Sequence, residues 1–187
     1  REALEEIRSS SRRAAALTAQ LLAFSRRDMA NPERVDLGRL VQEAERMLGR
    51  VLGENIRLDT EGLAGVEGCH VRVIRGLMDQ VVMNLVVNAR EAMPDGGTIT
   101  LRLSRERASR AATAGTADLA PGPYAVLSVS DTGVGIPEEI RSSVFDPFFT
   151  TKPDGSGFGL STSYAIVNSA GGFIEVDSEV GAGSEFR

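Results

Sequence analysis

Cysteine and histidine are almost missing from the sequence: Cys69 and His70 are the only ones. One cysteine cannot form an intrachain disulfide, and one cysteine with one histidine cannot build a zinc centre, so structural zinc is excluded and a reducing compartment is expected. No apolar run reaches the ~18 residues of a membrane-spanning helix. Arg1, Glu2, Glu5, Glu6 and Arg8 open the chain without an apolar segment behind a basic one, so no secretory leader is expected there. The expectation is a cytoplasmic location with no direct membrane contact by these residues, the anchoring of any longer parent staying open. Positive charge is also in deficit: 21 Lys and Arg stand against 26 Asp and Glu, giving a net charge of -5 and a pI near 5.1. That balance argues against a nucleic-acid partner.

What is present is an ordinary globular composition, 42% hydrophobic and 25% charged over 187 residues, enough to close a hydrophobic core. Nine of the 20 glycines fall between Gly133 and Gly183, so backbone freedom is concentrated where a ligand loop would be sought.

The spacing of Ile7, Ser10, Ala14, Leu17, Leu21 and Phe24 predicts one long helix over 1–30 with a seam that needs a partner. Ala30, Asn31 and Pro32 end it and mark a domain boundary. Asp36 reads as the N-cap of a helix reaching about Leu52, with Leu37, Leu40, Val41, Ala44, Met47, Leu48 and Val51 as its apolar face. Short strands are expected at 56–59 and 65–69. Helical periodicity returns from Ile74 to Met93, with Ile74, Leu77, Met78, Val81, Leu85 and Ala89 as the stripe, and Pro94-Asp95-Gly96-Gly97 stops it. Thr98–Leu103 and Tyr124–Ser130 alternate as two neighbouring strands, and 104–123 reads as a variable loop. Short and longer helices are expected at Pro137–Val144 and Leu160–Ala170. Phe173–Asp177 and Ser184–Arg187 then form a closing hairpin that breaks off in its last strand. Helices and strands without regular alternation indicate an α+β fold.

Three stretches carry chemistry. Gln80, Asn84 and Asn88 put an amide on one helix face at every turn, among Val81, Val82, Leu85, Val86 and Val87. An unpartnered buried amide costs about 1–3 kcal/mol, so these need a ligand or a network of their own. Asp131-Thr132-Gly133-Val134-Gly135-Ile136-Pro137 sets a carboxylate at a strand end, with glycines that let the backbone approach a planar ligand, although such a motif alone could be a turn. Gly155-Ser156-Gly157-Phe158-Gly159-Leu160-Ser161 runs glycines into a helix start, where N–H groups hold phosphate. It lacks the preceding strand of a dinucleotide fingerprint and the ending of a P-loop. Between them, Phe145, Phe148 and Phe149 are too apolar to stay in water, and Lys152 can reach an anion.

Taken in order, the paired-Asn helix, DTGVGIP, FDPFFTTK, GSGFGLS and GAGSEF resemble the catalytic ATP-binding domain of bacterial sensor histidine kinases. The resemblance covers about 33–187. Residues 1–30, ending Gln20-Leu21-Leu22-Ala23-Phe24-Ser25-Arg26, resemble the second helix of that family's dimerisation and phosphoacceptor hairpin, and FDPFFTTK with NAREAM resembles a subgroup that includes hybrid kinases. The resemblance implies a two-layer α/β sandwich of the Bergerat type, divided into a partial dimerisation hairpin over 1–31 and a catalytic domain over 32–187. It implies ATP and Mg²⁺ as cofactors, a homodimer in the full-length protein, and a response regulator or receiver domain as partner. Asn88 would bind Mg²⁺, with Asn84 assisting at the phosphates and Lys152 approaching the terminal ones, and these three would be catalytic. Asp131 would accept the adenine amino group, with Gly133 and Gly135 against the ring. Phe145, Phe148 and Phe149 would anchor a lid closed by Gly155, Gly157 and Gly159, with N–H groups near Leu160 on phosphate.

One departure bears on mechanism. The family's acceptor histidine is followed at once by an acid, whereas His70 is followed by Val71 and Arg72 inside the nucleotide-binding portion. The acceptor is therefore expected outside this chain. The alternatives are a related ATP hydrolase, an anti-sigma type serine kinase and a non-catalytic nucleotide-binding module. The hydrolases carry a glutamate base where this sequence has Asn84, and a neutral amide is a poor base.

Overall fold

In the computed structural model, residues 31–49, 52–63, 69–108, 121–153 and 155–187 are described. The helix expected over 1–30 and residues 65–68 of the strand expected over 65–69 lie outside the described residues, and Cys69 is not in a strand.

Asp36 ends β1 (Glu33–Asp36) and caps α1 (Leu37–Leu48), its Oδ1 accepting from Gly38 N at 2.9 Å and Arg39 N at 3.3 Å. Two N–H groups that a helix start leaves without partners are thereby satisfied. The predicted face is buried at Leu37, Leu40, Val41, Ala44 and Leu48, but Met47 is exposed, and the helix stops four residues short of Leu52 because Gly49 caps it. α2 (Arg75–Glu91) buries Met78, Val81, Leu85 and Ala89 as expected. Val82 and Val86 are buried as well, because α2 is covered on two sides, by the sheet and by α4 (Gly159–Ser169).

The main sheet has five strands in the order β2 (Ile56–Glu61), β4 (Gly97–Ala108), β5 (Gly122–Asp131), β7 (Gly183–Phe186) and β6 (Val176–Glu179). Only the β2–β4 pairing is parallel. Ile99, Leu101, Leu103, Val129 and Phe186 turn inward to the helices, and Arg102 turns outward to pair with Glu61. A second sheet joins β1 to β3 (His70–Val73), two strands the sequence did not announce. The expected α+β sandwich is present. Within the stretch read as a loop, β4 runs on to Ala108 and β5 begins at Gly122, their rungs continuing through Glu106↔Tyr124. Serine, arginine and glutamate there hide the strand, which beyond Leu103 is held by its backbone pairing to β5 rather than by an apolar face. β6 begins at Val176, not Phe173, although Glu175 and Arg187 exchange backbone hydrogen bonds of 2.9 Å ahead of it. The short helix α3 is Glu138–Arg141. Among the described residues no helix is long and apolar enough to cross a membrane.

Candidate functional site

The last turns of α2 are where the three sequence motifs meet. Asn84 donates through Nδ2 to Gly159 O at 3.0 Å and to Ser163 Oγ at 3.3 Å, so the side chain expected beside a phosphate also ties α2 to the first turn of α4. One turn on, Asn88 Oδ1 accepts from Lys152 Nζ at 2.9 Å, and the same ammonium reaches Glu91 Oε2 at 2.6 Å. Beyond the helix end, Ala92 O accepts from Val134 N at 3.1 Å, which fixes the loop after β5 to the same helix. All three amides of the predicted row, including Gln80, are half-buried rather than buried.

Asp131 is the last residue of β5, paired to Ile99 on one side and Ser184 on the other. It is 7% exposed. Burial pushes its carboxyl above the ordinary carboxylate range, while the Gly133 and Ser184 backbone N–H groups and the Lys152 charge pull it back. Its Oδ1 accepts from Gly133 N at 2.8 Å.

On the side where a Cβ would stand, the glycines after it are closed in by the chain itself. A Cβ on Gly133 would lie 2.6 Å from Ala92 O, and one on Gly135, where φ is +72°, would run into Glu179 O of the β6–β7 hairpin. Thr132 and Ser178 complete this lacing. Thr132 Oγ1 accepts from Thr98 N at 3.1 Å, and buried Ser178 Oγ accepts from Ile136 N at 2.8 Å while donating to Gly183 O at 2.7 Å.

Between α3 and α4 the three phenylalanines separate. Phe145 packs on the core, tilted against Tyr164 at 5.4 Å and edge-on to Phe186 at 6.3 Å. Phe149 is half-buried. Phe148, expected to be covered, is 60% exposed and sits at φ +70° with its ring 4.7 Å from that of Phe158. It is held there by its N–H on Gly157 O at 3.1 Å, and a Cβ on Gly157 would strike its backbone. Gly155 is likewise closed in by Thr150 and Lys152. By contrast, Gly159 meets only Asn84, at 3.9 Å. Among the described residues no side chain caps α4 at Phe158, so its first-turn N–H groups at Gly159, Leu160 and Ser161 are placed as the donors that an anion seeks.

Sequence reasoning missed Glu91, Ser163, Thr132 and Ser178. Only Glu91 carried a signal, as an acid three residues from Asn88 on one helix face and in the last turn, where the helix dipole disfavours it. The Asn88–Glu91 oxygens form a seat that already holds a cation, the Lys152 ammonium. Mg²⁺ takes oxygen ligands, using one or two protein groups and leaving the rest to phosphate and water, so the donor set fits it. A cleft of about 560 Å³ between α2, α4 and β5, lined by Met78, Val81, Leu127 and Val167, contains none of these residues.

A family model described as histidine kinase-, DNA gyrase B-, and HSP90-like ATPase matches residues 74–187. The chain is 44% identical over 183 residues to the sensor kinase CckA of Brucella abortus, covering 97% of itself and 19% of that protein. Among solved structures, the catalytic domain of the histidine kinase ThkA is 28% identical with a TM-score of 0.62, over 83% of this chain and 91% of that one. Full-length ShkA in complex with AMPPNP is 25% identical with a TM-score of 0.62, over 83% of this chain and 30% of that one. The chain spans about a fifth to a quarter of the curated relatives it matches.

Proposed function

The chain belongs to the family of histidine kinase-, DNA gyrase B- and HSP90-like ATPases, and on that premise we propose that it is the ATP-binding catalytic core of a sensor histidine kinase. It passes the terminal phosphoryl group of ATP to a histidine outside residues 1–187, for relay to an aspartate of a response regulator or receiver domain. In the parent protein, residues 1–31 are part of a dimerisation hairpin and 32–187 the catalytic domain, working in the cytoplasm.

The observation that carries the reading is the convergence on the end of α2. Asn84 holds the start of α4, Asn88 holds Lys152, and Ala92 holds the loop that follows Asp131. A nucleotide laid across that end finds a buried carboxylate for the adenine amino group, uncapped helix N–H groups for phosphate, and an amide oxygen for the cation that accompanies it. Mg²⁺, when bound, neutralises phosphate charge. The chain's own share is to place and orient: Asp131 selects the base, Lys152 and the first turn of α4 receive phosphate oxygens, and Phe145 roots the lid in the core.

Hydrolysis to water is disfavoured by Asn84. It is neutral, and a neutral amide is a poor base, so it does not take the proton of an attacking water. The test is calorimetry with AMP-PNP and with the matching guanine analogue, both with Mg²⁺, followed by transfer from labelled ATP to a separate chain bearing a histidine followed by an acid. Adenine-selective binding with transfer is the expected result. Equal affinity for the two bases, or rapid phosphate release with no transfer, would overturn it.

A further inference from the structure

Glu91 shares with Asn88 the seat that holds the Lys152 ammonium, and it is the charged member of that pair. It closes α2, and with Asn88 it faces the ammonium from one side of that helix, at 2.6 and 2.9 Å. From the lid side the lysine is held by its own backbone. Its N–H donates to Thr150 Oγ1 at 3.1 Å, and its carbonyl accepts from Gly155 N at 3.1 Å.

We propose that Glu91 is a positioning residue that parks the Lys152 ammonium in the cation seat of Asn88, so that the lid lysine and the divalent cation compete for one oxygen. This rests on the nucleotide reading of the site. Asn88 Oδ1 cannot serve an ammonium and a dication together, because the two positive charges would stand within one ligand shell of each other. For the metal to reach Asn88, the ammonium must leave, and the incoming phosphates are the anions that can receive it. Glu91 opposes that departure. With a neutral side chain at 91, the lysine keeps the amide oxygen and the attraction of the Asp131 carboxylate but loses its direct ion pair, and the seat empties more readily. Lys152 and Glu91 are 36% and 43% exposed, so solvent screens the pair and the effect is a few-fold.

The experiment is calorimetry on the whole chain as wild type, Glu91→Gln, Lys152→Met and the double variant, each titrated with AMP-PNP in Mg²⁺ and in EDTA. Glu91→Gln is expected to bind AMP-PNP about 2- to 5-fold more tightly than wild type in Mg²⁺, with a smaller change in EDTA, where nothing competes for Asn88. In the Lys152→Met background the same substitution should do nothing, because Glu91 acts through the lysine. A lysine-selective NMR signal of Lys152 in nucleotide-free Glu91→Gln should move toward its nucleotide-bound position, a shift that a merely structural role would not produce. Glu91→Ala is the second variant and should behave alike. Unchanged affinity overturns the inference. So does weaker binding confined to Mg²⁺, which would make Glu91 a metal anchor, or a gain that persists without Lys152. A wild type that binds no AMP-PNP at all refutes the nucleotide reading itself, a result distinct from any of these.

Discussion

Asn84 Nδ2 donates to the carbonyl of Gly159 at 3.0 Å, so a single side chain couples the asparagine helix to the helix on which the lid ends. Its second contact, to Ser163 Oγ, meets a hydroxyl that is fully buried and itself bonded to the same carbonyl. Asn84→Ala should therefore cost about 1 kcal/mol of stability and weaken nucleotide binding only a few-fold, through looseness at the start of α4. Paired denaturant melts and calorimetry check this. A melting midpoint equal to wild type would show that the tie carries no weight.

Asn88→Ala should behave in the opposite way. Its partner Lys152 keeps Glu91, so no buried group is orphaned and stability should hold. The seat for the cation is lost, and affinity for AMP-PNP in Mg²⁺ should drop about 10- to 100-fold, the worth of a contact to a charged group, to near the value in EDTA. Retained Mg²⁺-dependent affinity would remove Asn88 from the metal's ligands.

These two asparagines show what was legible and what was not. Their four-residue spacing placed both on one face of α2, and the apolar stripe beside them fixed that helix almost to the residue. Their division of labour could not be read, because it depends on Gly159 and Lys152, more than sixty residues away in sequence. β1 and β3 escaped notice for a related reason. Glu33–Asp36 and His70–Val73 are short, half polar, and stable only by pairing with each other across an intervening helix and strand. The close approach of Ala92 to Gly133 and of Glu179 to Gly135 has no sequence signal, because it arises only when the hairpin has packed.

Asp131 gives a pH dependence with a definite sign. A carboxyl raised above its unfolded value by burial favours its protonated form in the fold. Its ionisation thus costs stability above the raised value, and the cost disappears as pH falls through it. Asp131→Asn, which keeps an oxygen for the Gly133 N–H, should melt at the same temperature as wild type or higher at pH 7 and lose the part of the pH profile due to this group. Affinity runs the other way. The adenine amino group donates to the ionised carboxylate, so wild-type binding should weaken as pH falls through that window, and the variant should be flat there with poorer discrimination against guanine. A variant that melts well below wild type would contradict the burial argument.

Gly135→Ala combines a φ of +72° with a Cβ aimed at Glu179 O, so the loop after Asp131 and the β6–β7 hairpin must part. A loss of about 1–3 kcal/mol is expected. Gly171→Ala is the control. Its φ is +75° but nothing lies within 4 Å of the added carbon, so only the backbone penalty of about 1 kcal/mol remains. Equal losses at the two positions would mean that the hairpin contact does not matter.

His70 should not become phosphorylated. It opens β3, is exposed, and stands in register with Asp36, whose carboxylate is occupied in capping α1. The next residues, Val71 and Arg72, supply no acid to take the proton from the attacking nitrogen. The contacts that would seat a nucleotide run through Asn84, Asn88, Asp131, Lys152 and Gly159, and β3 pairs only with β1. Incubation with radiolabelled ATP should therefore leave residues 1–187 without stable label, and His70→Gln should be indistinguishable from wild type. Adding a separate chain that carries a histidine followed by an acid on a helical hairpin should yield acid-labile label on that chain, and Asn88→Ala should abolish it. Label on this chain that vanishes in His70→Gln would place the acceptor inside the catalytic domain.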